Sequence, residues 1–156
     1  MNWLETIKND EDKLDDFIEE YENELEQARK EIKITGFVEK QARMMPSITD
    51  TRFAQYQEID AIYEYFSINL KKVRSKYYKK YLENYQRSLT SRDVEKYIDG
   101  ETEVIELLYK LNRIELLKNK FASITKSLEI KHYQLTNIVK MKVAGLDDAD
   151  LGLEDN

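Results

Sequence analysis

A seven-residue rhythm in the middle of the chain constrains the fold more than any other feature. Tyr56, Ile59, Tyr63, Phe66, Leu70, Val73 and Tyr77 follow one another at alternating steps of three and four. That is the spacing of a heptad seam on an α-helix. Ile62, Tyr65 and Leu82 widen the stripe, so more than one neighbour is expected to pack on it. The spacing predicts a helix over 50–88, which would span roughly 58 Å at 1.5 Å per residue.

Two further stretches carry helical periodicity. Leu14, Phe17, Ile18, Tyr21, Leu25, Ala28 and Ile32 predict a helix over 10–35, with Gly36 as its stop. Val104, Leu107, Leu108, Leu111, Ile114, Leu117, Phe121, Ile124, Leu128, Leu135, Ile138 and Val139 predict a third over 101–143, stopped by Gly145. The residues from Phe37 to Met45 form at most a short helical turn, because Pro46 is expected to break the chain. Thr90 or Ser91 reads as the cap of a helical restart, and Asp99-Gly100 as a second break. With only four Gly and one Pro, the chain lacks the turn residues of a many-stranded sheet.

The expected fold is therefore all-α: a long antiparallel helical hairpin or coiled coil with an extra acidic N-terminal helix. One helical domain covers 1–146 and an acidic flexible tail covers 147–156. A two-helix hairpin buries little core for a chain of 156 residues. Assembly into a homo-oligomer is expected to supply the missing burial.

The formal net charge of −6 conceals a sorting of charge along the chain. Between Glu5 and Glu31, twelve acids face four bases; between Lys71 and Arg92, eight bases face Glu83 alone; the tail after Lys142 carries five acids and no base. The basic block is rich in tyrosine. On a helix, Lys71, Arg74 and Tyr78 form one strip, and Lys72, Lys76 and Lys79 another, on either side of Val73 and Tyr77. Two cationic strips beside an aromatic line suit a single-stranded nucleic acid, its phosphates on the bases and its rings on tyrosine. The same residues also suit a solvated coiled-coil face with tyrosine used for packing. The shortage of acids in the block weighs toward binding, since a plain surface helix mixes signs through i,i+4 pairs. The acidic N-terminal helix has three readings: a cap on the protein's own basic face, a site for a basic partner, or a solubilising face.

Catalytic chemistry finds little to work with. The absence of Cys excludes disulfides and thiolate chemistry, and the single His, His132, excludes a multi-His metal site. Glu19-Glu20 and Asp147-Asp148 are carboxylate pairs in polar surroundings that give no reason for a raised pKa. No glycine-rich phosphate loop is present. No catalytic residue, metal or cofactor is expected, and the chain reads as a non-enzyme. No stretch resembles a signal peptide or a membrane span, so the protein is expected to be cytoplasmic, in a host cell if phage-encoded.

The stretch from Lys76 to Leu146, about half of the chain, resembles the UvsY-type recombination mediators of T-even-type phages. The resemblance runs through Lys-Tyr-Tyr-Lys-Lys-Tyr-Leu-Glu-Asn-Tyr (76–85), then Tyr97-Ile-Asp-Gly-Glu-Thr-Glu-Val104. It continues in a final helix with Ser127, Lys131 and Tyr133-Gln-Leu-Thr-Asn-Ile138 that ends in Lys142-Val-Ala-Gly145. The chain departs from the family where Gln86-Arg87 replace a glycine, and in the acidic helix before Gly36. The resemblance implies a homo-oligomer that binds single-stranded DNA, meets a single-strand-binding protein and helps load a RecA-like recombinase in recombination, repair and replication. It places Lys79 and Lys80 on DNA. It places Leu111, Ile114, Phe121, Ile124, Leu128, Leu135 and Ile138 in subunit contacts. Together with the charge pattern, the expected DNA-binding set is Lys71, Lys72, Arg74, Lys76, Tyr78, Lys79, Lys80, Tyr81, Tyr85 and Arg87. The competing expectation is a non-enzymatic coiled-coil scaffold or assembly protein of a phage.

Overall fold

The structure is a computed structural model, and it describes residues 2–84 and 89–146. Within them the chain forms helices α1 (Trp3–Asn9), α2 (Leu14–Ile32), α3 (Val38–Asn84), α4 (Ser91–Asp99) and α5 (Thr102–Val143). A single 3-10 turn, Glu11–Lys13, joins α1 to α2. The expected tail at 147–156, Tyr85 and Arg87 lie outside the described residues.

Helices α3 and α5 form the expected antiparallel hairpin. Lys118 reaches Asp60 at 3.2 Å while Tyr77 donates to Glu103 at 3.1 Å, so rising numbers in α5 meet falling numbers in α3. The acidic helix α2 lies in the groove of this hairpin, parallel to α5. The pairs that it and the preceding 3-10 turn make with α5 rise together: Glu11 with Lys110, Asp15 with Arg113, Glu22 with Lys120. Phe17, Tyr21, Leu25 and Ala28 of α2 close on Ile59, Ile62 and Phe66 of α3 and on Ile114, Phe121 and Leu128 of α5, all buried. The result is an up-down-up three-helix bundle over the length of α2.

Helix α4 covers the other end of the hairpin. Thr90 caps it, its hydroxyl oxygen accepting from the Asp93 amide at 3.3 Å. Val94 and Ile98 bury against Val104, with Val73, Tyr77, Tyr78 and Tyr81 packed around them. The missing burial of a bare hairpin is thus supplied in large part by α1, α2 and α4 of the same chain.

Three expectations of the element map are corrected. Pro46 does not end a helix; α3 runs through it. Pro46 withholds the N–H that Ala42 would accept from. Both residues are exposed, so water can serve that carbonyl, while Met45 and Ile48 beside them pack into the core. Gly36 does not close α2, which ends at Ile32. Its terminus is held instead by Lys131 of α5, whose ammonium donates to the carbonyls of Glu31 at 2.6 Å and Lys33 at 3.1 Å, and to the Gln41 side chain. A cation suits the negative end of the helix dipole. Helix α1 was not anticipated. Asn2 caps it, and Trp3 buries against Phe17 with ring centroids 5.7 Å apart. Glu58 accepts from the Trp3 amide at 2.8 Å, and Glu20 from its indole N–H at 3.0 Å.

Candidate nucleic-acid interface

The basic block occupies the last turns of α3. Every residue from Leu70 to Tyr81 is helical, so the 3.6-residue repeat fixes which side chains share a face. Lys71, Lys72, Ser75, Lys76, Lys79 and Lys80 are exposed; Val73, Arg74, Tyr77 and Tyr78 are partly covered. Five lysines therefore populate one half of the helix over about 14 Å.

Those lysines differ in how they are satisfied. Lys71, Lys72 and Lys79 meet no carboxylate among the described residues. Lys80 sits over the Tyr77 ring at 5.3 Å and likewise meets no carboxylate there. Lys76 lies 5.4 Å from the same ring and 3.4 Å from Glu103. Lys72 borders a shallow concavity of about 300 Å³ that it shares with Asn69, Glu106 and Lys110.

The strip of Lys71, Arg74 and Tyr78 does not form as expected. Arg74 turns toward α4, 2.6 Å from Asp99 and 3.8 Å from Glu95. Tyr78 packs on the small α4 core. Tyr81 packs there as well, donates its hydroxyl to Glu101 and stacks on Tyr97 at 5.7 Å. Two of the tyrosines expected to carry bases, Tyr78 and Tyr81, are thus used inside the chain, both packed on apolar neighbours and Tyr81 also bonded to a carboxylate. Sequence reasoning missed those acids because Glu95, Asp99, Glu101 and Glu103 lie beyond the basic block and return to it only when α4 and α5 pack.

The acidic N-terminal helix does not cover this face. Of its carboxylates, Asp15 and Glu22 go to α5, Glu24 and Glu31 to Arg52 of α3, Glu20 to Trp3 and Asp16 to Lys13. Arg52 contacts Glu24 at 2.6 Å and Glu31 at 2.7 Å, with its own side chain 4% exposed. The Arg52 guanidinium holds the Glu24 carboxyl below its ordinary value of 4.5.

Six of the residues expected at subunit contacts are buried in the chain's own core: Leu111, Ile114, Phe121, Ile124, Leu128 and Leu135. Ile138 is partly covered. The apolar stripe is real, but α2 and α3 of the same chain fill it. His132 lines an open groove between α3 and α5 with Met45, Pro46, Asp50, Phe53 and Glu129, and meets Tyr133 edge-on at 5.8 Å. Among the described residues no helix is long and apolar enough to cross a membrane. Set against protein-family models, curated proteins and solved structures, the chain matches none.

Proposed function

We propose that the protein is a non-enzymatic single-stranded-DNA-binding recombination mediator that helps load a RecA-like recombinase onto DNA. The carrying observation is the exposed face of Lys71, Lys72, Lys79 and Lys80, four cations without a carboxylate partner among the described residues. Such a face tracks phosphates and reads no bases. With Tyr78 and Tyr81 engaged inside the chain, binding rests on charge more than on stacking. The mediator role, the homo-oligomer and the partners (a single-strand-binding protein and a RecA-like recombinase) rest on the resemblance of residues 76–146 to the phage mediators.

A second reading draws on a different observation. Arg74 and Lys76 are already paired with Asp99 and Glu103, which is how a coiled-coil scaffold protein would neutralise a basic end. Fluorescence anisotropy with a labelled oligo-dT between 50 and 200 mM salt separates the two. The DNA reading expects log affinity to fall with log salt by about 0.7 per phosphate contacted. Lys72→Ala/Lys79→Ala/Lys80→Ala should flatten that slope by about 2. Absence of binding at 50 mM salt, or a slope untouched by the triple variant, overturns the DNA reading and leaves the scaffold.

A further inference from the structure

The opposite end of the hairpin is also basic, and it is apolar as well. Here the α2–α3 linker, the first turns of α3 and the last turn of α5 meet. Phe37 and Val143 are each 85% exposed, and Met44 is 47% exposed. Phe37, Val38, Lys40, Met44 and Lys142 line a concavity of about 610 Å³, together with Glu39 and Arg43. Lys30, Lys33, Lys40, Lys140 and Lys142 are exposed and meet no carboxylate among the described residues. The nearby Glu39 is already paired with Arg43 at 2.7 Å. An exposed aromatic ring that shares its concavity with Lys40 and Lys142, neither paired among the described residues, calls for an occupant that is both acidic and apolar.

The chain carries such a segment, attached at this very end. Lys142 lines the concavity, and from Asp147 the sequence reads Asp-Asp-Ala-Asp-Leu-Gly-Leu-Glu-Asp-Asn. It has five carboxylates, no base, and two leucines among them. Ten residues extended reach about 35 Å, ample to return over Lys142 to Lys40 and Phe37. Tethering raises its effective concentration to about the millimolar range, so a weak complementary site suffices.

We propose that the acidic segment 147–156 docks on this basic end of its own chain, its carboxylates toward Lys33, Lys40 and Lys142 and a leucine against Phe37 and Met44. The occupied end is then withheld from other anionic partners until one of them displaces the segment. This inference is independent of the nucleic-acid reading, which concerns the other end of α3.

Methionine-methyl NMR at low salt tests it, comparing the full chain with a chain ended after Leu146. The Met44 methyl, assigned through Met44→Leu, should shift on truncation, and more than that of buried Met45. A synthetic peptide of residues 146–156 added to the truncated protein should restore the shift saturably. Phe37→Ala should weaken that peptide at least five-fold, and 0.5 M salt should abolish the effect. Lys40→Glu/Lys142→Glu in the full chain should give the truncated spectrum, with unchanged circular dichroism showing that the fold persists. A Met44 signal indifferent to the tail overturns the proposal. So does a tail-dependent doubling of the light-scattering mass, which would put the segment on a second copy.

Discussion

Arg52 and Lys131 are charged residues with almost no exposure, 3% each. Lys131 uses all three of its donors, and Arg52 four of its five N–H groups. Arg52 joins α3 to α2 through Glu24 and Glu31, and also donates to Gln55 of its own helix. Lys131 joins α5 to the end of α2 through two carbonyls and the Gln41 amide oxygen; burial pushes its ammonium below the ordinary lysine value of 10.5. Neither residue was legible in the sequence. A base on a helix looks like a surface base until the partner helices are placed, and the partners from other elements or distant turns lie 21 to 100 positions away. Truncating one member of a buried ion pair costs about 3–5 kcal/mol, because the partner charges stay behind. Arg52→Met should lose about 3 kcal/mol at pH 7 in urea unfolding, at the low end because Glu24 is partly solvated. The pH dependence has a definite sign. Glu24 is held below 4.5 in the folded state by Arg52, so its contribution is present above that value and fades as pH falls through the lowered one. The gap between wild type and Arg52→Met should therefore narrow on acidification from pH 5 to pH 3. A gap that widens would show that Glu24 is not Arg52's partner in solution.

The helices themselves were largely legible, but the end of α2 and the start of α3 were not. The seam from Tyr56 to Tyr77, the Thr90 cap and the break at Asp99-Gly100 all lie where periodicity and cap chemistry put them. Pro46 misled because its cost was weighed locally. Losing one backbone bond on a solvent face is outweighed when Val38, Met45 and Ile48 on either side pack into the bundle. Helix α1 escaped because seven residues are too few to show a period, and its anchors, Glu20 and Glu58, are distant in sequence. The Pro46 account makes a prediction. If the proline is tolerated and not required, Pro46→Ala restores the donor to the Ala42 carbonyl and removes an interior helix breaker worth up to about 3 kcal/mol. Part of that gain is returned because alanine frees the unfolded chain. A net rise of about 1–2 kcal/mol in urea stability is expected, without loss of helical circular dichroism. A fall in stability would mean that the proline fits a bend the bundle needs.

At the scale of the whole molecule, helical periodicity tells which face of α5 is apolar but not whose surface covers it. The seam from Leu111 to Leu135 was assigned to subunit contacts, and it lies inside the protomer against α2 and α3. Net charge misleads in the same way: the acidic segment serves the bundle through Glu11 of the 3-10 turn and Asp15 and Glu22 of α2, and leaves lysines exposed at both ends of the hairpin. Only the cationic block of α3 was readable as a surface, because runs of lysine resist burial whatever packs nearby. Leu128 decides between an inner and an outer use of the seam. It is 1% exposed within the single chain, so Leu128→Ala leaves a cavity that helices of the same chain must border. Such truncations cost about 2–5 kcal/mol. The loss should appear as a lower urea midpoint whose dependence on protein concentration matches that of wild type, since the seam takes no part in an association step. Light scattering of the native variant should return the same mass as wild type, whatever assembly the wild type forms, because an assembling surface would lie elsewhere. A changed mass with an unchanged protomer midpoint would put the seam back at a subunit contact and require α2 to move away from α5.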